Sequence, residues 1–144
     1  MANPVSRRLF IARLLVVLGF VAGLGSLWST FTHIGDPLYL VTPEFGRGSA
    51  HAWYHALREA FGDIATIIVV LLIFFGADRY RKPSSWWICL IMLLGYYLPF
   101  WVGMPFMEEL SAPSLQAELN HISQAVLSLA GLFYGRAEFL KKNS

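Results

Sequence analysis

The chain has 144 residues, enough for one domain, and it is 56% hydrophobic with only 14% charged residues, against roughly 25% charged in soluble domains. With a mean hydropathy of +0.55, this composition indicates an integral membrane protein, and a formal charge of +2 spread among apolar runs excludes a nucleic-acid surface. Cys89 is the only cysteine, so an intrachain disulfide and a cysteine-rich metal site are both excluded.

The first apolar segment, 9–28, has the roughly 20 residues that a helix needs to cross hydrocarbon. Arg7, Arg8 and Arg13 ahead of it resemble the start of a secretory signal, but no Ala-x-Ala-like site follows Trp28, so the segment is expected to stay as a membrane helix. Gly19-x-x-x-Gly23, with Gly25 and Ser26, gives it a small-residue face for close helix contact. The connection 32–50 contains Gly35, Pro37, Pro43, Gly46 and Gly48 and is long enough to fold over the end of a bundle.

The second segment, 55–76, is preceded by and overlaps a polar row: His51, His55, Glu59 and Asp63. Residues four apart on a helix drift by only about 40°, so the four are expected to share one face. Hydrocarbon penalises each ionisable group by roughly 2.5 kcal/mol or more, so a row that continues into an apolar segment needs partners, water or a ligand.

A tight turn with Pro83 leads to the third segment, 86–104. Trp86 and Trp87 at one end and Tyr96, Tyr97 and Trp101 toward the other suit aromatic belts, and Pro99 should kink the helix. The loop 105–113 holds Glu108 and Glu109, and Pro113 suits the first turn of the fourth segment, 117–136. That segment is the most polar. It carries Asn120, His121, Ser123, Gln124 and Ser128, of which His121, Gln124 and Ser128 form a stripe for interhelical hydrogen bonds or a polar pocket wall.

Basic residues cluster before the first segment, between the second and third, and after the fourth, where Arg136, Lys141 and Lys142 lie. The positive-inside rule then makes both termini cytoplasmic. The expected fold is an all-α membrane protein, four transmembrane helices in an antiparallel up-down bundle. All four histidines, His33, His51, His55 and His121, fall near the outer ends, with Asp36, Glu44, Glu59, Asp63 and Glu118, so the site is expected on the non-cytoplasmic side of a plasma or bacterial inner membrane.

His51-x-x-x-His55 lets two imidazoles hold one metal ion, although the glutamate of a zinc-protease helix is missing between them. Glu118-x-x-His121 has the ligand spacing of di-iron and di-manganese carboxylate bundles, in a single copy. His33 can add a ligand, with Asp36 orienting an imidazole.

Three readings follow. In the preferred one, His33, His51, His55, Glu118 and His121 bind zinc, copper or iron, and the protein acts as an oxidoreductase or hydrolase on an apolar substrate reached from the lipid. In the second there is no metal, and Glu59 and Asp63 work with a histidine as acid and base on a lipid or sterol-like molecule. The third is an accessory subunit, in a homo-oligomer or a larger membrane complex, whose polar row is satisfied by its partner. The metal reading is preferred because it alone uses both the His pair and the Glu-x-x-His spacing; whether the chain is an enzyme stays open.

Overall fold

A computed structural model describes residues 5–40, 50–107 and 112–140. All regular structure among them is helical: α1 Arg7–Thr32, α2 His51–Phe75, α3 Pro83–Tyr97, α4 Pro99–Val102 and α5 Leu115–Leu140, with single 3₁₀ turns at Pro37–Tyr39 and Asp78–Tyr80. Much of the expected loop 32–50, including Glu44, lies outside the described residues, as do Glu108, Glu109, Lys141 and Lys142.

Local chemistry sets the helix ends. The Ser6 hydroxyl accepts a 3.1 Å bond from the Leu9 amide and caps α1, and Gly35, with φ +89°, takes the left-handed backbone that turns the chain after it. α2 closes at Phe75 because two guanidiniums satisfy its last carbonyls: Arg13 Nε donates to the Phe74 carbonyl at 2.8 Å, and Arg81 Nη1 donates to the Phe74 and Gly76 carbonyls at 3.3 and 2.9 Å. Arg81 also pairs with Asp78 and is buried. Pro83 opens α3 at its first turn, where a missing N–H costs nothing.

The expected third segment is divided. Pro99 has no amide to continue the ladder, so α3 stops at Tyr97 and α4 resumes for one turn. Pro113 does not enter the fourth helix, as expected from sequence; it precedes Ser114, whose hydroxyl accepts from the Ala117 amide at 3.2 Å and whose carbonyl accepts from the Glu118 amide at 3.0 Å. A serine acceptor one residue later is the better cap.

Each long helix packs on the next, and α5 returns to α1, which makes the most extensive contact of the fold. Gly19 and Gly23 on α1 meet Ser128 and Gln124, while Gly131 and Gly135 on α5 meet Ala12 and Val16, so small residues from both helices bring the backbones together. The bonds Ser6 to Glu138, 2.9 Å, and Ser26 to His121, 3.2 Å, make these two helices antiparallel. Arg13 at Phe74 and Trp86 at Leu132 do the same for the other pairs. One end therefore carries Arg7, Arg8, Arg13, Arg79, Arg81, Lys82 and Arg136, and the other carries all four histidines with Glu59 and Glu118.

Three aromatic residues expected in interface belts are instead buried: Trp86, whose Nε1–H donates to the Leu132 carbonyl at 3.1 Å, Tyr96 and Tyr97. The polar tips of Trp86 and Tyr97 find partners inside the bundle, which removes the reason to reach an interface. Among the described helices, α1 alone is long and apolar enough to cross a membrane, with 26 residues and a hydropathy of 2.2. α2 carries Arg58, Glu59 and Asp63 in its first half, α3 has only 15 residues, and α5 is polar along its first half.

Candidate functional site

Two cavities of about 450 and 460 Å³ lie at the histidine-rich end and share Glu59, Phe100, Pro113 and His121 in their walls. The first adds His33, Ser26 and Thr30 from α1 and its C-terminal flank, and the second adds Asp63, Tyr96 and Pro99. Every long helix contributes. The second cavity sits at the α3/α4 break, where Pro99 interrupts the helix and Phe100 turns inward to stack on His121 at 3.6 Å between ring centres and 13° between planes.

The polar row of α2 does not act as one unit. Three steps of four residues rotate by about 120°, so a row that looks straight in sequence winds around the helix. Asp63 falls on the stripe of Ala56, Ala60, Val70 and Phe74, which faces the core, and Asp63 is half-buried there. Glu59 stands at the edge of that stripe and is exposed, yet lines both cavities. His51 and His55 have rotated out of the cavities. Their Nε2 atoms lie 2.9 Å apart, and His55 is exposed.

Of the expected ligands, His33 and His121 share the first cavity with Glu59. His33 stacks on Tyr39, with 3.9 Å between ring centres, and Asp36 caps the Pro37–Tyr39 turn by accepting from the Leu38 amide at 2.9 Å, so it is not the carboxylate that orients an imidazole. Trp53 Nε1 donates to the Asp36 carbonyl at 3.0 Å and ties this segment to α2. Glu118 lines neither shared cavity; its carboxylate accepts from Trp101 Nε1 at 2.7 Å. Among the described residues no three His, Cys, Asp or Glu side chains come together as a group able to hold a metal ion.

The stripe on α5 is buried throughout. His121 Nε2 contacts the Ser26 hydroxyl, and Ser128 Oγ contacts the Tyr97 hydroxyl at 2.8 Å. Between them, Gln124 is fully buried with neither amide atom hydrogen-bonded among the described residues, and His121 Nδ1 is likewise unpartnered. Phe100, Tyr96 and Ser26 were not legible as site residues from sequence. The one usable signal was Pro99, which predicts where the third helix opens.

Comparison of the chain with protein-family models, curated proteins and solved structures gave no match.

Proposed function

We propose that the chain is a small membrane-embedded helical protein that receives an apolar small molecule in the cavities at its histidine-rich end, with Glu59, Asp63 and His121 as the groups that bind it or exchange protons with it. The observation that carries this reading is that these three side chains, from two helices, line one cavity beside Tyr96 and Phe100. An apolar lining with a few convergent polar groups is the usual make-up of a small-molecule site.

Membrane embedding draws support from the distribution of apolar surface. Phe10, Leu14, Val21, Trp28, Leu72, Ile91, Val126 and Phe133 are all exposed, while Thr66, His121, Gln124 and Ser128 are buried. Extensive apolar exposure of this kind is expected of a surface in contact with lipid or with another chain, and polar groups turned inward are the pattern expected in hydrocarbon. The basic end faces the cytoplasm under the positive-inside rule, which puts the cavity at the opposite membrane face.

The test is enrichment from lipid. Protein reconstituted in nanodiscs with a total lipid extract should carry a small molecule in near-stoichiometric amount that empty nanodiscs lack, detected by mass spectrometry after organic extraction. No enriched compound overturns the reading.

A second reading, a metal site, keeps one specific observation in its favour: the 2.9 Å approach of the His51 and His55 Nε2 atoms. Two imidazoles so placed form half of a tetrahedral zinc or copper site. Elemental analysis after supplementation, with and without His51→Ala, tests it; no stoichiometric metal in the unmodified protein defeats it.

A further inference from the structure

We propose that the molecule held in these cavities is a hydrophobic cation, an amine or quaternary ammonium on an apolar body; this rests on the cavity reading above and adds the charge of the ligand. Glu59 and Asp63 both line the second cavity, and among the described residues no Lys or Arg lines either cavity. The nearest candidate in sequence, Arg58, directs its guanidinium onto the Tyr54 ring at 5.5 Å. Neither carboxylate has a hydrogen bond or ion pair among the described residues. A half-buried carboxylate such as Asp63 gains most from an opposite charge, and the described residues supply none there.

The rest of the wall favours the same ligand. Tyr96 and Phe100 present aromatic rings in the cavity that holds the carboxylates, and a ring face attracts a desolvated cation. An independent observation comes from His121, which is 7% exposed, lines both cavities and leaves Nδ1 without a partner. In the tautomer whose Nε2–H donates to Ser26, Nδ1 carries a lone pair and no proton that would oppose a cation. An anion meets two carboxylates with no Lys or Arg beside them among the described residues, which is a built-in rejection.

The experiment uses three tetrahedral aromatic probes of similar size: tetraphenylphosphonium, triphenylphosphine oxide and tetraphenylborate. Binding is measured in phosphatidylcholine nanodiscs against empty nanodiscs. Tetraphenylphosphonium should bind saturably and at least about tenfold more tightly than the neutral oxide, with no saturable borate binding. Glu59→Gln with Asp63→Asn should weaken the cation by about tenfold or more. Glu59→Gln alone, at an exposed side chain, provides the same readout if the double variant fails to fold. Equal or tighter binding of the oxide or borate, lost in Asp63→Asn, overturns the cationic assignment and leaves the cavity reading standing. Absence of cation binding, or cation binding indifferent to both carboxylates, also overturns it, and enrichment from lipid extract then decides separately whether the cavity holds a molecule.

Discussion

Gly19 of α1 and Ser128 of α5 approach so closely that a Cβ on Gly19 would overlap the Ser128 hydroxyl and stand 2.8 Å from its amide nitrogen. Backbone cannot swing aside as a flexible side chain can, so Gly19→Val has to part the two helices. Overpacking of this kind costs typically about 1–3 kcal/mol. Thermal unfolding in detergent should show that loss for Gly19→Val, whereas Gly62→Ala, where no atom lies within 4 Å of the added Cβ, should be mild.

The Arg81 guanidinium is buried and holds two carbonyls at the end of α2 together with Asp78. Removing it leaves polar groups short of donors, and hydrogen bonds to a charged group are worth about 1.5–3 kcal/mol. Arg81→Met should lower stability by that amount. A change below about 0.5 kcal/mol would mean that Arg13 alone suffices to close the helix.

Tyr97 and Ser128 share a buried 2.8 Å hydroxyl contact between α3 and α5. Interhelical hydrogen bonds within membranes average only about 0.6 kcal/mol in double-mutant cycles. The cycle of Tyr97→Phe with Ser128→Ala should return a coupling of that size, and zero coupling would contradict the bond.

Gln124 makes the opposite prediction. Its fully buried amide has no hydrogen-bond partner among the described residues, so Gln124→Met removes a desolvated polar group without breaking a bond. Stability should hold or rise; a loss above about 2 kcal/mol would show that the amide is satisfied in the folded protein.

Much of the helical layout was legible because long apolar runs and prolines punctuate the chain; α1 and α5 extend the expected segments by a few residues at both ends, and α2 begins four residues earlier and ends one sooner. The small-residue face of α1 was legible too. Its counterpart, Gly131-x-x-x-Gly135, was not singled out, since a pair of glycines in one helix does not say which neighbour it meets. The site was legible only in part. His51 to Asp63 looks like one row because each step is a small rotation, but the accumulated turn sends Asp63 toward the core and the histidine pair away from it. Glu118 and Trp101, or Phe100 and His121, meet only because α3 breaks and α5 folds back, and such long-range pairing leaves no local pattern.

The most direct measurement is the amount of extracted small molecule bound per protein in three forms: unmodified, Asp63→Asn in the cavity, and Glu138→Gln at the basic end, where the side chain accepts from Ser6. With the site at the histidine-rich end, the unmodified protein and Glu138→Gln should carry equal amounts, and Asp63→Asn should carry about tenfold less or none. Equal occupancy in all three forms would contradict the assignment of the cavity as the binding site.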